Sequence, residues 1–229
     1  MIQSFIDREN EIFDILLSFQ KAGLDYVLVG GYAVSAYMHR FSVDADICIE
    51  TKDLSRFREV LKAKRFEMTK RKDLEDIYKG QFESYKKNTK LPVTVDVMVG
   101  SLASRQTQAS FSFALLHAHS ILKKITGIER TIEARIPKKE LLVASKIHSG
   151  RLTDARDIVA LCKDIDFDAV LGFMHVGNQE SVHANTMRLL GFFKSKNFND
   201  SFKGVFSIER LPIENIKNAI ELMEKIIGT

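Results

Sequence analysis

Two strictly alternating segments constrain this chain most, because each places acid on one face of a strand. Residues 44–49, Asp-Ala-Asp-Ile-Cys-Ile, set Ala45, Ile47 and Ile49 on one side and Asp44, Asp46 and Cys48 on the other. Residues 93–99 set Val93, Val95, Val97 and Val99 one way and Thr94, Asp96 and Met98 the other. Both patterns predict a strand with a buried face and a carboxylate-bearing face. Asp44 and Asp46 are i and i+2, so their Cβ atoms lie about 6–7 Å apart. Carboxylates that close repel and favour protonation unless a cation sits between them. Asp96, set among valines, is costly unless its face is wet or liganded. Three carboxylates with no other strong ligand make a hard-oxygen site, suited to Mg²⁺ or Mn²⁺ rather than zinc.

Upstream, residues 25–30 read as a short strand ending in Gly30-Gly31, and residues 32–39 as a short buried helix. Glycines at that junction let a phosphate approach backbone N–H groups at the positive end of a helix. Before this unit, Ile12, Ile15, Leu16 and Phe19 recur at helical spacing and Gly23 stops the run. After it, Asp53 is the expected N-cap of a helix through about Lys64, with Leu54, Phe57, Val60 and Leu61 inward. Residues 77–85 and 93–99 read as strands. Further strands are expected within 107–136, where Phe111, Phe113 and Leu115 alternate, as do Thr131, Glu133 and Arg135, with Gly127 in a turn. Beyond Pro137 the pattern is helical, at 138–149, 153–164, about 179–195 and 213–227. Strands first and helices last predict an α+β fold: a mixed-sheet core over 1–136 and a helical part over 137–229.

A chain of 229 residues has the length of one large domain or two small ones. Its 45% hydrophobic and 28% charged residues exclude a disordered or fibrous chain. With Cys48 and Cys162 the only cysteines, neither a disulfide framework nor a four-Cys zinc site is available. No 18-residue apolar stretch and no basic-then-apolar leader occurs, so a cytoplasmic protein without membrane association is expected. Net charge is only +4, but residues 61–90 carry ten Lys/Arg against five Asp/Glu. Such a block either attracts a polyanion or forms a solvated face.

The order strand, Gly-Gly, short helix, Arg40, Asp-x-Asp strand and later Asp strand carries a resemblance. LVGGYAVSAYMHRFSVDADICI, with 12 residues between Gly31 and Asp44, resembles the signature of polymerase-β-type nucleotidyltransferases. The form GGxA…R-x-S-x-D-x-D looks most like the AbiEii-like branch, which includes toxins of toxin–antitoxin pairs. Residues 137–161, PKKELLVASKIHSGRLTDARDIVAL, look like a later segment of that branch. The resemblance implies a nucleotidyltransferase core over 1–136 and transfer of a nucleoside monophosphate from an NTP to an acceptor hydroxyl. Asp44, Asp46 and Asp96 would then hold Mg²⁺ or Mn²⁺, and Asp96 would help deprotonate the hydroxyl. Gly30 and Gly31 would cradle the triphosphate, and Arg40 would face the phosphates or fix the turn before the Asp-x-Asp strand. Lys146 would reach the phosphates, and Asp157 would orient Lys146 or the acceptor. The family's usual Gly-Ser turn is Gly-Gly here, which removes one hydroxyl ligand. The implied partners are an NTP, an acceptor among RNA or tRNA, protein and small molecules, and an antitoxin.

Blander assignments stand beside these. Arg151, Asp154, Arg156 and Asp157 suit capping and surface ion pairs. His117 and His119, two apart on an expected strand, form a metal pair only with a further ligand that the neighbouring sequence does not offer. Cys48 suits a small buried hydrophobe. Met187, Phe192, Phe193 and Met223 suit a core, and Ser35 with His39 does not by itself make a hydrolase. An active transferase and a catalytically silent nucleotide- or RNA-binding module on the same fold are the two function classes left.

Overall fold

The computed structural model describes residues 2–75, 78 and 80–228. The chain divides into two compact units: residues 1–36, 42–102 and 111–137 form the first, and residues 37–41, 103–110 and 138–229 the second.

The first unit is built on a five-stranded mixed sheet. Its strands are β1 (Tyr26–Val29), β2 (Asp44–Ile49), β3 (Glu67–Asp73), β4 (Gln81–Lys87) and β5 (Val93–Val99), in the order β1-β2-β5-β4-β3. Only β2 and β5 run parallel. Alternation decides which face each residue takes. Ala45, Ile47, Val95 and Val97 are fully buried and meet in register, Ala45 against Val95 and Ile47 against Val97. Two helices supply the apolar partners: α1 (Ile2–Lys21), through Ile12, Phe13, Ile15, Leu16 and Phe19, and α3 (Leu54–Ala63), through Phe57 and Leu61. The Phe19 ring lies 4.8 Å from that of Phe57 and 5.9 Å edge-on to Tyr26. Removing a core ring of this kind costs about 3–5 kcal/mol. Glu83 shares this face, fully buried, with Arg58 of α3 and the Tyr85 hydroxyl bonded to its carboxylate. Burial alone would raise the Glu83 pKa, but those hydrogen bonds and the Arg58 charge hold it below the usual carboxylate range.

Several expectations shift by a few residues or change type. The short helix α2 spans Gly30–Ser35, so it starts on Gly30 itself. Asp53 accepts no backbone hydrogen bond as a cap; a 3₁₀ turn over Thr51–Asp53 precedes α3, and the Asp53 carboxylate pairs with Arg56 instead. The strand expected at 77–85 lies at 81–87; of its first residues, Tyr78 stands in a turn, and Ile77 and Lys79 fall outside the described residues. Strand β3 went unforeseen, because all seven of its residues are exposed and an edge strand with nothing to bury shows no alternation. The expected strand through Phe113 and Leu115 is in fact helix α4 (Phe113–Ala118), capped by the Ser112 hydroxyl on the Leu115 N–H. His117 therefore lies on a helix, where its Nε2 is 2.9 Å from Asp25, and the supposed strand-borne His pair is corrected. Strands Ser120–Thr126 and Thr131–Pro137 form a hairpin whose turn carries Gly127.

The second unit holds α5 (Lys139–Ser149), α6 (Leu152–Leu161), α7 (Phe167–Met174), α8 (Gln179–Phe193), α9 (Lys196–Phe206) and α10 (Ile213–Gly228). Helices α7 and α9 were not anticipated. Phe198, Phe202 and Phe206, four apart and buried, form the inner stripe of α9. Among the described residues no helix is long and apolar enough to cross a membrane.

Candidate active site

The parallel register of β2 and β5 sets Asp46 directly opposite Asp96, with Asp44 two residues along the same face. The three carboxylates thus share the sheet face opposite α1 and α3. The row continues outward: Asp96 pairs with Ser84 of β4, and Ser84 with Lys70 of β3. Asp96 is raised above the usual carboxylate range, chiefly by burial and further by the Asp44 charge, while the Ser84 hydrogen bond and the Lys70 charge pull it down. Its Oδ1 is buried without a hydrogen-bond partner among the described residues.

Gly30 is required here for a reason the sequence did not show. Its φ is +64°, and a Cβ at this position would lie 1.9 Å from Asp46 Oδ2. The glycine is what lets the Asp46 carboxylate rest against the backbone at the start of α2. Gly30→Ala is expected to destabilise the fold by about 1–2 kcal/mol from backbone strain alone and to displace Asp46. A thermal melt measures the loss. Gly31 is buried as the second residue of α2.

Arg40, Lys146 and Asp157 form a distinct cluster within the second unit. Lys146 Nζ lies 2.8 Å from both Asp154 and Asp157, and it is only 5% exposed. Asp157 also takes Arg40, with Nε 3.0 Å from Oδ1 and Nη2 3.1 Å from Oδ2, and Asp154 takes Arg151 Nε at 2.8 Å. Burial opposes the charge on Lys146, yet the charges and hydrogen bonds of Asp157 and Asp154 keep its pKa above the ordinary lysine value. Burial likewise opposes ionisation of Asp154, and Lys146 and Arg151 hold it below the usual carboxylate range. The surface ion pairs anticipated for Asp154 and Asp157 instead bury both acids with Lys146, while Arg40 stays partly exposed and Arg151 exposed at the network's edge. The sequence carried no sign of that burial beyond the helical spacing of the two acids.

Among the described residues no group of three His, Cys, Asp or Glu side chains is gathered closely enough to hold a metal ion. Asp44, Asp46 and Asp96 share a face without converging on one point. Their chemistry nevertheless suits a hard divalent cation: carboxylate oxygens only, one of them buried and unsatisfied.

Asp96→Asn tests the electrostatics. A carboxyl whose folded pKa is raised favours the fold fully only below its unfolded value, near pH 4. That contribution is lost as pH rises through the folded pKa. At pH 7 the charge on Asp96 therefore weighs against folding, and Asp96→Asn should raise the melting temperature by about 1–3 °C, with the gain fading in acid. Differential scanning calorimetry from pH 4 to pH 8 measures it.

No known protein-family profile matches the chain, and no curated protein sequence does. Solved structures do. An H. pylori protein that carries a provisional nucleotidyltransferase name aligns over 98% of this chain and 95% of its own, with 16% identity and a TM-score of 0.51. JHP933 from Helicobacter pylori aligns over 98% and 92%, with 16% identity and a TM-score of 0.50. The α+β architecture is a nucleotidyltransferase-type fold.

Proposed function

We propose that the chain is a divalent-cation-dependent nucleotidyltransferase that moves a nucleoside monophosphate from an NTP to an acceptor hydroxyl. The observation that carries this reading is the in-register pairing of Asp46 with Asp96, with Asp44 on the same face and Gly30 shaped around Asp46. A second observation supports it, the likeness in fold to structures of which one is named a nucleotidyltransferase. Asp44, Asp46 and Asp96 would hold Mg²⁺ or Mn²⁺, which supplies charge neutralisation at the phosphates and activation of the attacking oxygen. The acceptor oxygen forms a bond to the α-phosphorus, the α–β phosphoanhydride breaks, and pyrophosphate leaves with the bonding electrons. Asp96 takes the hydroxyl proton, a role open to a carboxylate with one oxygen that no described residue hydrogen-bonds. Gly30 and Gly31 border the space for the triphosphate.

In this scheme Lys146 and Asp157 act by position. Lys146 is enclosed by two carboxylates, and Asp157 holds Arg40, which lies four residues before Asp44 in sequence. The AbiEii-like branch, with a toxin role and an antitoxin partner, is the finer form of this proposal; its support is the resemblance in the two sequence segments. The test is label transfer from each α-labelled NTP, with Mg²⁺ or Mn²⁺, to total RNA, protein and small hydroxylated acceptors. Transfer that requires the cation supports the proposal. Nucleotide binding with no transfer to any acceptor would assign the chain to the silent binding modules.

A further inference from the structure

The sheet divides the basic side chains of β3, β4 and the end of α3 between its two faces, a separation that their linear sequence hides. Lys70 pairs with Ser84, Lys72 with Phe82 and Lys86 with Thr94, so all three lysines share the face of Asp44, Asp46 and Asp96. Arg71 points the other way, 4.0 Å from buried Glu83, and Lys87 pairs with Glu11 of α1. Lys62 belongs to α3 and Lys64 caps it, on the opposite side of the sheet. Among the described residues Lys72 and Lys86 have no carboxylate partner. Between the lysines lies Phe82, half-buried, with Lys70 Nζ 5.8 Å from its ring centre. Acid occupies one end of this face, on β2 and β5. Unpaired cations and an aromatic ring occupy the other, on β4 and β3.

The spacing fixes what the basic end is for. Lys70 lies two strands from Asp96 and three from Asp46, about 10 and 14 Å at the usual inter-strand distance, while Lys72 and Lys86 stand at opposite ends of the same face. One phosphate held at the carboxylates cannot meet all three lysines. A ligand reaching both ends is therefore extended, carries repeated negative charge and offers a flat ring to Phe82. Single-stranded nucleic acid has all three properties.

We infer that the β4–β3 half of this face, through Lys70, Lys72, Lys86 and Phe82, binds a single-stranded nucleic-acid acceptor whose terminal hydroxyl extends toward Asp96. The inference rests on the nucleotidyltransferase reading and names its acceptor class.

The test separates the two. Binding of a fluorescent single-stranded RNA 12-mer is measured by anisotropy against salt, without NTP or divalent cation, using the full chain. Replacing Lys70, Lys72 and Lys86 together by Gln should lower the slope of log K against log salt by about 2 and weaken binding about tenfold or more at 0.1 M salt. Replacing Lys62, Lys64 and Lys87 by Gln removes the same charge from the other face and should leave the slope unchanged. Phe82→Leu should weaken the RNA about tenfold and leave heparin binding as it was, since heparin has no bases to stack. Circular dichroism and melting confirm that each variant is folded. Wild-type protein that fails to bind the RNA, equal losses in both lysine triples, or equal loss of RNA and heparin in Phe82→Leu would each overturn the inference. So would a Lys70/Lys72/Lys86 variant that loses NTP affinity but keeps RNA affinity, or label transfer to protein alone. Failure of the enzyme reading shows elsewhere, as transfer that survives Asp46→Asn.

Discussion

Asp46→Asn is expected to cut nucleotide transfer by about three orders of magnitude or more while leaving the protein folded. Asparagine keeps the shape that fits against Gly30, so the close approach of side chain to backbone survives. What it loses is the negative charge at the centre of the row, opposite Asp96. Electrostatic groups aimed at the reacting phosphate commonly carry factors of 10² to 10³ each, and a ligand serving a cation carries more. Asp44→Asn should behave similarly. The measurement is initial rate of label transfer beside a thermal melt; the expected pattern is a collapsed rate with a melting temperature within about 2 °C of wild type. A variant that transfers as well as wild type would remove the carboxylate row from the chemistry.

Lys146→Met is expected to act in the opposite manner, through stability. It removes the cation that, among the described residues, alone bonds both Asp154 and Asp157, each nearly fully buried. Breaking a buried pair costs about 3–5 kcal/mol because the remaining charge is stranded. Arg151 and Arg40 still reach one acid each, so a loss of about 3 kcal/mol is expected, or about 6–12 °C in melting temperature. The pH dependence has a definite sign. Asp154, with its pKa depressed, contributes stability above its unfolded value near 4, lost as pH falls through the folded one. Lys146, with its pKa raised, contributes below its unfolded value near 10.4, lost as pH rises through the folded one. The gap between wild type and variant should be widest from about pH 5 to pH 10 and should narrow below about pH 4. Calorimetry across that range decides it. A variant as stable as wild type would free Lys146 from its structural duty and return it to the list of phosphate ligands.

Sequence pattern exposed the parts of this fold that bury one face and wet the other. Val93–Val99 and Asp44–Ile49 could be placed residue by residue, because each inward valine or isoleucine alternates with an outward polar group. The carboxylate row followed from the same alternation. Pattern failed where burial is absent or one-sided in an unfamiliar way. Strand β3 buries nothing, so its seven exposed residues, six of them polar, gave no period, and with it went the row from Asp96 through Ser84 to Lys70. Helix α9 is different: Phe198, Phe202 and Phe206 carry a legible four-residue spacing, but the polar residues between them dilute it. Glu83 shows the limit from the other side. It reads as a surface residue and is fully buried, because Arg58 arrives from α3 to neutralise it and Tyr85, two residues along the same strand, donates a hydrogen bond to it. The burial of Lys146 depends in the same way on partners that only packing brings together.

The proposed chemistry requires acids from β2 and β5 to hold a divalent cation jointly against a bound nucleotide. Electron paramagnetic resonance of Mn²⁺, titrated into the protein with a non-hydrolysable NTP, measures this without relying on turnover. Wild-type protein should take up the ion with the nucleotide, and both Asp46→Asn and Asp96→Asn should sharply weaken that uptake. Mn²⁺ affinity unchanged in the two variants, or no nucleotide-dependent uptake in the wild type, would contradict it.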